Sequence, residues 1–411
     1  MAKFLLEALR ESGEAGKGKN FFDNEVTSVS YRTGVPILDY YLGYTVNVYN
    51  ENNEVVDTYP SLGISGGSYV TVIGKSSTAK TSTIISLAAN IIRPFESGMI
   101  MHFDLEQAMT YSRVQAMTRF TMTEMRDKYL LKNEYASIND IKAMVMKVYF
   151  EKTQNPDKYK YDTGKKNEFG ETIIAYVPTV VIIDSIPSLS SAINENDKKD
   201  VAKLEEVSSQ TEKMRLTAEI GRFYTEMLPY IKKANIIVFS VNHIKVNPGM
   251  GIVKSPAELL YLKQDEALPG GKAPQYLAHI LWKHVAIGSE KYNKEEHGFD
   301  GFGIKIEIIK CRSNQAGQAF TIIYDKVHGV DSLRTSLAFA KECGLVTGDK
   351  NHTRFLTNPD QKFSMLTVHD YFNEHREMYK ILYDNIIPIL ETKLSTVTSD
   401  EMKFVDDEMS Y

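Results

Sequence analysis

Gly74-Lys75-Ser76-Ser77-Thr78-Ala79-Lys80-Thr81 is the stretch on which the fold turns. It reads as a phosphate-binding loop of the G-x-x-x-x-G-K-[ST] type, with Ala79 standing where the general motif has its second glycine. The apolar run Tyr69-Val70-Thr71-Val72-Ile73 before it predicts a buried strand, and residues 81–92 after it predict a helix. In a strand-loop-helix setting, backbone N–H groups and the helix N-terminus form a concave site for anionic phosphates. The candidate nucleotide-binding residues are Gly74, Lys75, Ser76, Ser77, Thr78, Ala79, Lys80, Thr81 and Ser82. Lys80 is placed to reach β- and γ-phosphates, and the Thr81 hydroxyl to hold Mg²⁺.

Working outward, apolar strands alternate with helices. Strands are expected at 99–103, 180–183 and 236–241, with a helix-rich stretch at 111–152 and a long helix at about 200–232. Near-continuous apolar strands of this kind belong to a mostly parallel sheet covered on both faces, so the fold class is α/β. Later strands at 276–282, 303–310 and 319–324 are expected to add antiparallel members. Residues 45–60 read as a β-hairpin around Asn50-Glu51-Asn52-Asn53, and Tyr159 to Gly170 as a polar hairpin or loop insertion. The expected organisation is an N-terminal element and linker at 1–30, a core at 31–332 and a helical C-terminal region at 333–411. Phe21 and Phe22, beside a Gly/Lys-rich linker, read equally as a docking element or a small local core.

Whole-chain properties bound the possibilities. The 411 residues are 43% hydrophobic and 25% charged, with a mean hydropathy of −0.28, as in an ordinary globular protein. No apolar run reaches the roughly 18 residues a membrane span needs, and the N-terminal apolar stretch is too short for a signal peptide. Cys311 and Cys343 lie far apart, without neighbours at metal-ligand spacing, as expected for reduced thiols in the cytoplasm. A net charge of −5 excludes coating nucleic acid by charge alone, so any such contact must come from local loops.

Polar residues stand where apolar strands end. Asp184 closes the 180–183 strand, the position at which ligands bind in open α/β sheets, and would serve Mg²⁺. In Phe103-Asp104-Leu105-Glu106, Glu106 lies beyond the strand end and is the candidate to orient and deprotonate water, with Asp104 a supporting acid. His243 ends the next strand and is placed to touch a γ-phosphate. Lys310 and Arg312 follow an apolar strand at i and i+2, a spacing that points two cations the same way in extended chain.

These elements, in this order, resemble the RecA-like strand-exchange recombinases, and within them the UvsX recombinases of tailed phages. Phe103-Asp104-Leu105-Glu106-Gln107-Ala108 is similar to the segment ending in the family's water-activating glutamate. Val181-Ile182-Ile183-Asp184-Ser185 is similar to its Walker B strand, and Val241-Asn242-His243-Ile244 to its γ-phosphate sensor strand. Lys310-Cys311-Arg312 resembles the paired cations that act on the ATP of a neighbouring protomer. Phe21-Phe22, Arg32-Thr33-Gly34-Val35-Pro36 and Met227-Leu228-Pro229-Tyr230 also resemble family segments, over about residues 20–345. The resemblance implies a RecA-type ATPase core. Glu106, Lys80, Lys310, Arg312 and His243 would be catalytic, Thr81 and Asp184 would hold the metal, and Phe21 and Phe22 would serve oligomerisation. An adenine-stacking tyrosine is common seven residues after the glutamate; here Arg113 holds that place, with Tyr111 two residues earlier.

The resemblance also places two DNA-binding loops. Loop one, about Ser188 to Arg215, carries Lys198, Lys199, Lys213 and Arg215; loop two, about Lys245 to Lys272, carries Lys254 and several glycines and apolar residues. Lysines would meet phosphates while apolar side chains wedge between bases. The implied activity is DNA-dependent ATP hydrolysis coupled to homologous pairing and strand exchange. The implied cofactors are ATP and Mg²⁺. The implied partners are single-stranded DNA, homologous duplex DNA and further copies in a helical filament, with a loader and a single-stranded-DNA-binding protein. The setting would be the cytoplasm of a phage-infected bacterium. A hexameric helicase of the same fold and a non-hydrolysing mediator stay open. The acidic residues Asp400, Glu401, Asp406, Asp407 and Glu408 either compete with DNA or form a solubilising tail.

Overall fold

A computed structural model describes residues 29–50, 52, 54–133, 136–189, 209–246, 261–263 and 266–394. Phe21, Phe22, Lys198, Lys199, Lys254 and the acidic tail lie outside the described residues, as does the side chain of Lys213.

The central sheet has strands β1 (Tyr69–Gly74), β2 (Met99–Asp104), β3 (Tyr129–Lys132), β4 (Thr179–Asp184), β5 (Ile236–His243), β6 (Ile280–Tyr292), β7 (Gly301–Cys311), β8 (Ala319–Asp325) and β9 (Gly329–Val330). Their order across the sheet is β9-β8-β7-β6-β1-β5-β4-β2-β3. From β6 to β3 every neighbouring pair is parallel. Strands β7, β8 and β9 continue the sheet antiparallel. The protein is therefore α/β with a mostly parallel sheet flanked by helices.

The helices that matter here are α1 (Pro36–Leu42), α2 (Lys80–Ile92), α3 (Tyr111–Thr118), α4 (Ile138–Gln154), α5 (Ser209–Lys233) and α6 (Ser332–Glu342). Successive strand side chains alternate between faces. Val180, Ile182, Ile237 and Phe239 enter a core shared with Ile84, Ile85 and Ala88 of α2. Val181, Ile183, Ile236 and Val238 enter a second core with Ile141 and Val145 of α4 and Phe223 and Met227 of α5. Both faces are covered, which is why these strands are apolar throughout. Among the described residues no helix is long and apolar enough to cross a membrane.

One expectation is corrected. The strand expected at 276–282 as an antiparallel member is β6, which lies parallel to β1 in the middle of the sheet; only its hairpin partner β7 runs antiparallel. The helix-rich 111–152 stretch also contains a strand, β3, too short and too mixed in composition to stand out in the sequence. Among the described residues after 333, Val346–Thr347, Thr353–Phe355 and Asn358–Phe363 form a small sheet between α6 and helices Val368–Glu374 and Glu377–Glu391.

The two expected hairpins exist, as Tyr44–Tyr49 with Val55–Ser61 and as Lys160–Lys166 with Thr172–Tyr176. They touch: Tyr49 N–H donates to the Glu168 carbonyl at 2.9 Å, and the Tyr59 hydroxyl to the Lys166 carbonyl at 2.5 Å. The chain leaves the first hairpin through Gly63, whose φ is +94° and whose N–H donates to the Asp39 carbonyl. A Cβ there would stand 2.1 Å from the Tyr31 carbonyl oxygen. Gly63→Ala should cost about 2–4 kcal/mol, combining left-handed strain with a backbone clash. Urea unfolding measures this, and a loss below about 0.5 kcal/mol contradicts that close approach.

Candidate active site

The parallel strands deliver their carboxyl ends to one edge of the sheet. Gly74 of β1 pairs with His243 of β5, and Asp184 of β4 with Asp104 of β2. The phosphate loop leaves β1 at this edge and enters α2 through Ala79. Ala79 adopts φ 51°, ψ 29°, the left-handed conformation, which explains why glycine is the general residue at this place. Relieving that strain outweighs glycine's larger unfolded-state entropy, so Ala79→Gly should stabilise the protein by about 0.5–1 kcal/mol. A fall in the denaturation midpoint would contradict the left-handed assignment.

Lys80 lies in the mouth of the loop, 4% exposed. Its ammonium donates to the Lys75 carbonyl at 2.7 Å and to His243 Nδ1 at 3.3 Å. An ammonium is only a donor, so Nδ1 accepts and the His243 proton sits on Nε2. Nε2 is 3.0 Å from Glu106 Oε1, which also accepts from the Ser185 hydroxyl at 2.7 Å. Lys80, His243, Glu106 and Ser185 thus form one hydrogen-bonded chain drawn from α2 and from the segments at the ends of β5, β2 and β4. Burial, then the Lys80 charge, lowers the His243 pKa and favours the neutral imidazole this chain requires. Burial pulls Lys80 down to about 8, against the attraction of Asp184 and Glu106.

The Thr81 hydroxyl donates to Asp184 Oδ2 at 2.6 Å, while Asp184 Oδ1 is buried with no hydrogen-bond partner among the described residues. Burial pushes this carboxyl up to about 7; the Thr81 hydrogen bond opposes the rise, and the Glu106 and Asp104 charges add to it. A hydroxyl and an unsatisfied carboxylate are the hard oxygen donors Mg²⁺ takes, so the residues present fit that ion. Asp104 accepts from the N–H groups of Ala108 and Met109 at 3.3 and 2.8 Å. It braces the turn that carries Glu106. The Asp184–Ser185 peptide is cis.

Two positioning residues escape sequence reasoning. Ser185, a small residue after an expected acid, holds Glu106. His284 of β6 is fully buried, and burial drives its pKa down to about 4. The Trp282 indole N–H donates to His284 Nε2 at 3.2 Å, which leaves the proton on Nδ1; Nδ1–H donates to the Thr78 carbonyl at 2.9 Å. A neutral histidine thereby pins the phosphate loop. Its only sequence signal is a polar residue in an apolar strand, and its role appears once β6 is placed parallel to β1, with His284 opposite Gly74.

Other expected residues lie elsewhere. Lys310 pairs with Leu281, and the Arg312 N–H donates to the His279 carbonyl, level with the start of β1. Both sit toward the amino ends of the parallel strands, away from the loop. The expectation that they point the same way is corrected: β7 ends at Cys311 and the chain bends at Arg312. Lys310 lines a cleft with Tyr261 and Tyr276, donating to the Tyr276 carbonyl at 2.6 Å, whereas Arg312 lines another with Tyr44, Lys232 and His279. Tyr111 is half exposed, in a cleft with Met122, Arg126 and Tyr129, and Arg113 is exposed on the same first turn of α3. That helix packs on α2, Ser86 donating to the Met117 carbonyl.

Of the residues expected in DNA-binding loops, Arg215 is exposed on α5 and pairs with Glu219 at 3.1 Å. Lys245 and Lys272 are exposed. Lys245–Val246 pairs antiparallel with Glu266–Ala267, closing the stem of the predicted loop two directly after His243. Asn242 ties the same stem to the Pro269 carbonyl at 2.8 Å.

No protein-family model matches this chain, and no curated protein matches it, so what the site does is argued from its own chemistry.

Proposed function

We propose that this chain is an ATP-dependent DNA recombinase with a RecA-type core, similar to the phage UvsX recombinases, that assembles on single-stranded DNA and exchanges homologous strands. The observation that carries the proposal is the chain Lys80–His243–Glu106, with the stem of loop two beginning two residues after His243. In this reading it joins the lysine that would bind phosphate, the carboxylate that would activate water and the segment that would meet DNA through one shared element, His243.

In the proposed mechanism Thr81 and Asp184 would hold Mg²⁺, which when bound would supply charge neutralisation to the β- and γ-phosphates. Lys80 moves its donors from the Lys75 carbonyl and His243 to phosphate oxygens. His243 Nδ1, released, would take up a proton and donate to a γ-phosphate oxygen, and the tug on its strand end would reach loop two. Glu106, held by Ser185, takes the proton of the attacking water. Lys310 and Arg312, remote from the loop of their own chain, complete the site of the next protomer. Loss of the γ-phosphate reverses the exchange at Lys80 and loosens the grip on DNA.

The test combines full-length protein, ATP, Mg²⁺, circular single-stranded DNA and homologous linear duplex. Joint molecules and ATP turnover stimulated by single-stranded DNA are expected. Strong stimulated turnover with closed rings and no joint molecules would overturn the proposal in favour of a helicase. Turnover that DNA does not stimulate would favour a mediator.

A further inference from the structure

One layer beneath the phosphate loop, the sheet carries a buried imidazole, His102, that the proposed ATP chemistry leaves unused, beside two acids of that site. His102 and Asp104, alternate residues of β2, share a face of the sheet with Asp184 of the neighbouring strand. All three are buried, at 0, 0 and 3% exposure. One ligand atom from each lies within 4.8 Å of the others. Two of their polar atoms, His102 Nε2 and Asp184 Oδ1, have no hydrogen-bond partner among the described residues, a costly arrangement in an interior. His102 Nε2 stands 4.0 Å from Asp184 Oδ2, too far for a hydrogen bond. That gap is about twice a metal–nitrogen or metal–oxygen bond of roughly 2.0–2.2 Å, so a cation between them would touch both. On the far side of the ring, His102 Nδ1 is 2.8 Å from the Tyr129 hydroxyl. A proton donated from Nδ1 to that oxygen leaves Nε2 with a free lone pair, as in metal-bound histidines.

We propose that His102, Asp104 and Asp184 form a buried divalent-cation site that shares Asp184 with the nucleotide's Mg²⁺ but holds an ion of its own, selective for a first-row transition ion, Mn²⁺ or Zn²⁺. An imidazole nitrogen beside two carboxylates suits these ions, whereas Mg²⁺ prefers oxygen and retains its water. The two carboxylates would balance the charge of the ion. Because Asp184 also accepts from Thr81, an ion here would set the carboxylate on which the loop's hydroxyl rests. The site needs no nucleotide, so it stands or falls apart from the ATPase proposal.

The experiment titrates Mn²⁺ alone into full-length, nucleotide-free protein and follows bound Mn²⁺ by electron paramagnetic resonance. Binding of one ion per chain is expected, with spin-echo modulation from one directly coordinated ¹⁴N nucleus. Zn²⁺ should displace it at equal concentration, and Mg²⁺ should not at about a hundredfold excess. His102→Gln should weaken Mn²⁺ binding about tenfold or more and abolish the nitrogen signal. Thr81→Ala, which removes a donor of the nucleotide's own ion and the hydrogen bond to Asp184 Oδ2, should keep the nitrogen signal. Absence of nitrogen modulation in the unaltered protein overturns the proposal without reference to any variant. So does ready displacement by Mg²⁺, or loss of the nitrogen signal in Thr81→Ala.

Discussion

Glu106→Gln should reduce ATP turnover by about 10²–10⁴-fold, the range for loss of a general base, while leaving ATP affinity within a few fold. The replacement is nearly isosteric. Its amide oxygen still accepts from the Ser185 hydroxyl and His243 Nε2–H, which stand 2.7 and 3.0 Å from the native carboxylate. What it loses is basicity. Lys80, Thr81 and Asp184, which would bind the nucleotide, do not depend on the Glu106 charge for their positions: Lys80 is held by the Lys75 carbonyl and Asp184 by Thr81. Phosphate release per chain and binding of a fluorescent ATP analogue separate the two effects. ATP-dependent assembly should survive and outlast that of the native protein, because hydrolysis no longer resets Lys80. A variant retaining more than half of the native turnover would remove Glu106 from the role of base. One that neither binds ATP nor assembles would assign it a structural role.

Much of this site is legible in the sequence because its supports are locally encoded. Strands β1, β2, β4 and β5 are short, mainly apolar runs buried on both sides; β2, β4 and β5 end in a polar residue and β1 in the first glycine of the loop motif. That pattern locates Gly74, Asp104, Asp184 and His243 at strand ends from the sequence alone. It does not say which ends are neighbours. The pairing of His243 with Gly74, and so its reach to both Lys80 and Glu106, follows from strand order, which non-local pairing fixes. The orientation of β6 was hidden for the same reason: its adjacency to β7 in sequence predicts a hairpin and is silent on its other edge, where it joins β1. His284 and His102 were missed because a buried histidine in an apolar strand reads as core filling; only the register shows one facing Thr78 and the other facing Asp184.

Lys310→Ala should lower turnover by about 10³-fold in the assembled state and leave the slow turnover of dilute, unassembled chains unchanged, as for a cation supplied in trans. The geometry behind this is the strand register. Lys310 pairs with Leu281, and Leu281 with Thr71, three residues before Gly74. At about 3.3 Å per residue and 4.8 Å per strand, Lys310 begins some 10 Å short of the loop and two strands to the side. Its ammonium is engaged by the Tyr276 carbonyl in a cleft that opens elsewhere. If it serves a γ-phosphate, that phosphate belongs to another copy. A head-to-tail interface makes this separable by mixing. A Lys310→Ala chain keeps its own Glu106, and a Glu106→Gln chain keeps its own Lys310; each alone is inactive. In a random one-to-one assembly, about a quarter of the interfaces bring an intact Glu106 against an intact Lys310, and turnover should recover to about that fraction. No recovery in assemblies that contain both chains would place Lys310 outside the catalytic interface, because a residue acting within its own chain cannot be supplied by its neighbour.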